Sequence, residues 1–166
     1  GSESRKDWYY DLMIVKCKLQ DNVYVHSGFY SQLIGDGTCD KIKKCVTELL
    51  KKHPDYEVYV CGHSLGGSLS TLFGFMFSHE TDNNITVCSF ASPRVGNSGW
   101  KKQFEAKKNL KHYRITNKRD IVTALPMYKY YHVGHNIQLS DNKVKEYSCN
   151  TKRGLFDETI LKCFRI

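Results

Sequence analysis

The sequence predicts an α/β fold in which a mostly parallel sheet is flanked by helices. Two observations carry this. Short runs rich in Val, Ile, Tyr and Phe alternate with stretches whose apolar residues recur at three- and four-residue spacing, the order that builds parallel strands joined by helices. In addition, the run Val58-Tyr59-Val60-Cys61 leads through Gly62-His63-Ser64-Leu65-Gly66-Gly67 into a stretch with apolar positions Leu69, Leu72, Phe73 and Met76, a strand-turn-helix unit. With 166 residues, 40% hydrophobic, the chain has the length of one domain with a sizeable core, and residues 1–166 are read as that domain. No apolar run approaches the roughly 18 residues of a membrane span.

The elements follow in order. Leu12 to Leu19 reads as a strand, Val23 to His26 as a short extended piece, and Ser27 to Leu33 as a helical turn broken by Gly35-Asp36-Gly37. Thr38 or Asp40 can cap a helix whose apolar positions Ile42, Cys45, Val46 and Leu49 share one face, ending at His53-Pro54. The strand-turn-helix unit comes next, then a polar loop at Asp82-Asn83-Asn84 and a strand from Ile85 to Phe90. Ser98 to Lys108 predicts a helix and Leu110 to Thr116 a strand, followed by a loop containing Pro126. Weaker strands at Asn136–Leu139 and Lys143–Tyr147 precede an amphipathic helix over Phe156–Phe164.

The formal charge of +8 comes from lysines scattered along the chain. It reads as solvated helix faces or as attraction to an anionic membrane surface, where each exposed base adds on the order of 1 kcal/mol. No nucleic-acid-binding motif accompanies the charge, and no nucleic acid partner is expected. Seven cysteines is an odd number without metal-ligand spacing, so no metal and no cofactor are expected. Reduced thiols lean towards an intracellular setting without excluding secretion. Cys61 and Cys88 read as small buried residues within strands.

Strand, G-x-S-x-G and helix in succession are the context of a nucleophile elbow, which makes Ser64 the candidate nucleophile. Glycines two before and two after the serine are expected to leave room where strand and helix approach. A serine hydroxyl needs a histidine to take its proton and a carboxylate to orient that histidine. In this architecture the order is Ser, Asp, His, with the acid in a loop after a later strand, which suits Asp120. Only His132 and His135 follow it, and His132 is the candidate base. His63 beside the nucleophile reads as a residue that helps hold the turn. The backbone N–H of Leu65 is expected to donate to the oxyanion, joined by a second donor from another loop.

Five blocks, in order, resemble the class 3 (fungal-type, Rhizomucor-like) lipases of the α/β-hydrolase superfamily. They are His26-Ser27-Gly28-Phe29, then His53-Pro54-Asp55-Tyr56 leading into Val60 to Gly67, then Phe90 to Asn97, Tyr113 to Val122 with Leu125-Pro126, and Tyr131-His132-Val133-Gly134. The resemblance implies an α/β-hydrolase-like sheet, Ser64 as nucleophile and Asp120 as its acid. The opening Gly1-Ser2-Glu3-Ser4 with Asp7-Trp8 and Asp11-Leu12 is similar to the family's oxyanion and lid stretch. Carried over, Ser2 is the second oxyanion donor and Trp8 a lid residue, so that residues 1–12 form the oxyanion and lid segment. Family members are longer on the N-terminal side, so the chain is expected to be truncated relative to the full fold. Their catalytic histidine also comes later, near a closing helix, where Leu155 to Leu161 has none.

The expectation is a serine ester hydrolase that cleaves acyl esters of acylglycerols or phospholipids through a Ser64 acyl-enzyme. Its partners would be a lipid ester substrate and an anionic membrane surface. The alternative is an inactive lipase-fold domain that binds lipid or a partner, motivated by the missing late histidine.

Overall fold

The computed structural model describes residues 15–118 and 120–140 together with the backbone of 143–148. The segment expected to carry Ser2 and Trp8, and the expected closing helix over 156–164, lie outside the described residues.

Strand β1 (Lys16–Gln20) pairs antiparallel with β2 (Val23–His26). Asn22 turns the chain between them with φ 62°, a left-handed conformation that Asn tolerates better than most residues. The main sheet runs β3 (Val58–His63), β4 (Ile85–Phe90), β5 (Leu110–Asn117), β6 (His135–Ser140) and β7 (Lys143–Ser148). The first four are parallel and the last is antiparallel, which gives the mostly parallel α/β sheet that the alternation predicts. The strand expected from Leu12 is described from Lys16 onwards, and β2 and β4 have the predicted bounds.

Among the described residues four helices flank the sheet: α1 (Ser27–Ile34), α2 (Thr38–Lys52), α3 (Leu65–Phe77) and α4 (Ser98–Ala106). Strand residues Val58, Val60, Ile85, Val87 and Leu110 face one way and share a core with Leu72, Phe73 and Phe75 of α3 and Trp100 and Phe104 of α4. Helix α3 lies so close to β4 that a Cβ on Gly74 would stand 2.5 Å from Val87 Cγ2. On the opposite face Cys88, Tyr113, Ile115 and Ile137 cluster with Phe90.

Two local expectations are corrected. Helix α2 is preceded not by a Thr38 or Asp40 cap but by Gly37 at φ 71°; Asp36 Oδ1 instead accepts from Thr38 N–H at 2.9 Å, one residue earlier in the chain. The predicted apolar stripe of α2 is also rotated. Cys39 and Leu50 are buried and Val46 packs on the core, while Ile42, Cys45 and Leu49 are exposed. Periodicity identifies an amphipathic helix, but which flank of the stripe meets the core depends on where α1 seats it.

Candidate active site

The strand-to-helix junction places Ser64 at φ 53°, ψ −122°, a backbone conformation that costs a non-glycine residue on the order of 1–3 kcal/mol. It is held there from both sides. Ser64 N–H donates to the Phe90 carbonyl at the end of β4 at 2.8 Å, and the Ser64 carbonyl accepts from Gly67 N–H at 3.0 Å. The side chain is thereby lifted between the end of β3 and the start of α3. Leu65 is the first residue of α3, so its N–H is among the helix's first amides, which have no intrahelical acceptor.

The glycines divide differently from the expectation. A Cβ on Gly62 would lie 2.2 Å from the Gly66 carbonyl oxygen, so that position requires glycine. Gly66 has open space at its Cβ among the described residues, and the second tight approach belongs to Gly67, where a Cβ would meet Ser92 Cβ at 2.8 Å. The loop after β4 reaches α3 at this point, and Ser68 Oγ lies 3.2 Å from Ser92 Oγ and donates to the Pro93 carbonyl. His63 is exposed and makes no hydrogen bond among the described residues, so it does not hold the turn as expected. Cys88 is buried but Cys61 is exposed, because alternate residues of β3 point to a face that the described helices do not cover. A groove of about 900 Å³ lies on that face, lined by Asp55, Tyr56, Glu57, Tyr59, Cys61, Cys88 and Phe90.

Asp120 stands just past the C-terminal end of β5, on the sheet edge where β3 delivers Ser64. A tight turn fixes it: its N–H donates to the Asn117 carbonyl at 3.1 Å and its Oδ1 accepts from Val122 N–H at 3.0 Å. Thr123 Oγ1 donates to the Asp120 carbonyl at 2.8 Å, and Val122–Ala124 form one turn of 3-10 helix. Asp120 Oδ2 has no hydrogen bond among the described residues. Arg94 secures the far side of this loop. Its Nη1 donates to the carbonyls of Ala124 and Pro126, at 2.5 and 3.2 Å, and its backbone N–H donates to that of Leu125 at 2.7 Å. A lone arginine in Pro93-Arg94-Val95 gives no such signal in sequence, because its partners are main-chain atoms thirty residues away.

His132, the candidate base, is engaged with the loop that carries Asp120. Its Nε2 donates to the Thr123 carbonyl at 2.7 Å, and no hydrogen bond among the described residues joins Ser64 Oγ to an imidazole. Burial and the nearby Arg114 charge push its pKa down to about 3 against the opposing effect of the Thr123 contact, so the ring is neutral and weakly basic. The block around it is a clamp. Tyr131 N–H donates to the Gly96 carbonyl at 2.8 Å, Val133 is buried, and Gly134 at φ 76° passes so near β5 that a Cβ would lie 2.4 Å from the His112 carbonyl oxygen. His135, the other imidazole after Asp120, stacks on Tyr113 at 5.9 Å. His112 is buried with its Nε2 2.8 Å from Ser89 Oγ, and burial holds its pKa well below the ordinary value.

The site thus combines a positive-φ serine between a parallel strand and a helix with an aspartate in the loop after a later strand. The family model described as Lipase (class 3) matches residues 1–130. The chain belongs to the class 3 lipase family. The chain is 32% identical over 131 residues to the secreted mono- and diacylglycerol lipase A of Penicillium cyclopium, an alignment covering 76% of this chain and 41% of the relative. It is 30% identical over 144 residues to phospholipase A1-IIgamma of Arabidopsis thaliana, covering 74% and 34%. Among solved structures, the triacylglyceride lipase of Rhizomucor miehei superposes with a TM-score of 0.79 at 26% identity, covering 89% of this chain and 59% of that one. The chain thus spans about a third to two fifths of the length of these curated relatives. The fold is the α/β-hydrolase fold of these lipases, and the resemblance read from the five motif blocks holds.

Proposed function

We propose that the protein is a serine ester hydrolase that cleaves acyl ester bonds of acylglycerols or phospholipids through a Ser64 acyl-enzyme. The observation that carries this reading is Ser64 at φ 53° on the β3–α3 turn, with the Leu65 amide beside it at the helix N-terminus. The relatives named above are lipases and a phospholipase A1 by name, which supports lipid esters as the substrate class and lends nothing to an inactive scaffold.

Ser64 Oγ attacks the ester carbonyl as its proton passes to a base, and the negative charge that develops on the carbonyl oxygen is met by the Leu65 N–H, with Ser2 assigned as second donor from the resemblance of the opening segment. One such donor is worth roughly 3 kcal/mol in acyl transfer. Collapse expels the alcohol with that proton, and water then releases the fatty acid and restores Ser64. Asp120 is assigned as the acid that orients the base, its Oδ2 making no hydrogen bond among the described residues, and Trp8 is assigned to the lid from the resemblance of the opening segment. His132 we assign as a positioning residue for the Asp120 turn rather than as the base, because its Nε2–H is already given to the Thr123 carbonyl.

A fluorophosphonate probe tests the reading directly. Covalent labelling that maps to Ser64 and vanishes in Ser64→Ala is expected, together with release of p-nitrophenol from a p-nitrophenyl ester. Absence of adduct on Ser64 in the folded protein would overturn it.

A further inference from the structure

Between β5 and β6 the loop ends in a tip, Met127-Tyr128-Lys129, that projects although its base is rigid. Arg94 holds the carbonyls of Ala124, Leu125 and Pro126, and directly after the tip Tyr130 is 3% exposed. On the tip, Met127 is 72% and Tyr128 63% exposed. Tyr130 Oη donates to the Val15 carbonyl at 3.3 Å, which brings in a third outward apolar side chain, Val15, 59% exposed. Two lysines edge the same cluster: Lys16 Nζ sits 4.1 Å over the Tyr130 ring and Lys129 Nζ 5.1 Å over that of Tyr128. Partial burial, and after it the nearby Lys129 ammonium, lower the pKa of Lys16. Lys129 itself is held at φ 54°, a strained conformation for a residue with a side chain.

Single exposed apolar residues need no explanation, but this cluster has a particular composition. A flexible thioether, an amphipathic phenol and a β-branched side chain project together, edged by ammonium groups on long apolar stems. Such groups suit the boundary between acyl chains and acidic headgroups, where the stems lie along apolar surface and the charges meet phosphate. The net charge of +8 favours the same partner.

We propose that Val15, Met127 and Tyr128, with Lys16 and Lys129, form a docking patch for the surface of an anionic lipid bilayer. Met127, Tyr128 and Lys129 belong to the loop that also carries Asp120, so docking would hold the candidate site against the lipid. The inference rests on the lipid-ester reading for its purpose but is tested by binding alone.

The experiment uses the full chain bearing Ser64→Ala, so that lipid is not consumed, and measures cosedimentation with vesicles of phosphatidylcholine containing 30 mol% phosphatidylserine, as ~30 mol% tracks a moderately anionic surface. Binding is expected, weakening as salt rises. Lys16→Ala with Lys129→Ala should reduce it about 25-fold, at about fivefold per lysine, and Met127→Ser with Tyr128→Ser roughly tenfold. Lys107→Ala with Lys108→Ala, which removes the same charge at the other end of β5, should change it less than about twofold. Thermal unfolding of each variant confirms that it is folded. The proposal is overturned by no binding of the parent chain, by equal loss in the two lysine pairs, or by retention on soluble heparin with no vesicle binding. Fluorophosphonate labelling of the unsubstituted chain reports separately on Ser64, so failure of the hydrolase reading and failure of the docking patch are distinguishable.

Discussion

His132 donates its Nε2–H to the carbonyl oxygen of Thr123 at 2.7 Å, and the Thr123 hydroxyl donates to the carbonyl of Asp120 at 2.8 Å. An imidazole that lies after the catalytic-acid candidate in the chain is therefore built into the turn that displays that acid. It fixes Asp120 at second hand, through Thr123, and the carboxylate's Oδ2 makes no hydrogen bond among the described residues.

This relation predicts how substitutions at His132 divide. His132→Ala strands a half-buried carbonyl and should cost about 1–3 kcal/mol in urea unfolding. His132→Gln can still donate to Thr123 and should recover most of that loss. If His132 served instead as the base, both variants would abolish ester turnover alike, and glutamine would rescue stability without rescuing activity. Rescue of both by glutamine is expected.

Stability should fall on mild acidification. His132 has its folded pKa pushed down to about 3 against 6.5 for the free side chain, and His112 is held well below as well. The unfolded chain therefore binds more protons than the folded one below about pH 6.5, so the stabilisation present above that pH is lost as pH falls. Each imidazole contributes a slope of about 1.4 kcal/mol per pH unit below pH 6.5. Urea midpoints measured between pH 7.5 and 5 should show it, and His132→Gln should remove one of the two contributions. A flat profile in this range would contradict the burial of both rings.

The glycines of the elbow should respond in opposite directions. Gly67→Ala drives a methyl to 2.8 Å from Ser92 Cβ and 3.2 Å from Ser89 Cβ, and should destabilise by about 1–3 kcal/mol. Gly62→Ala meets the Gly66 carbonyl oxygen at 2.2 Å and should be worse, because backbone cannot step aside as a side chain can. Gly66→Ala enters open space in the first turn of α3 and should be neutral or stabilising by up to about 1 kcal/mol. Melting temperatures of the three variants rank them.

Strain at Ser64 gives a further test. Glycine adopts φ 53° without a Cβ clash, so Ser64→Gly should raise stability by about 1 kcal/mol over Ser64→Ala, with both blind to a fluorophosphonate. Equal stability of the two would mean that the backbone relaxes at this residue.

Sequence by itself determined the alternation of strands and helices, the G-x-S-x-G junction and the aspartate after β5, since each is encoded within a dozen consecutive residues. The bounds of β2 and β4 and the family could be read for the same reason. Only the tertiary structure decided what depends on atoms far apart in the chain. It moved the second close approach from Gly66 to Gly67, because Ser92 arrives from another loop. It turned Ile42, Cys45 and Leu49 outward, because α1 and the core meet α2 on a different flank. It also joined His132 to the Thr123 carbonyl, since order along the chain says nothing about which carbonyl an imidazole will find in space.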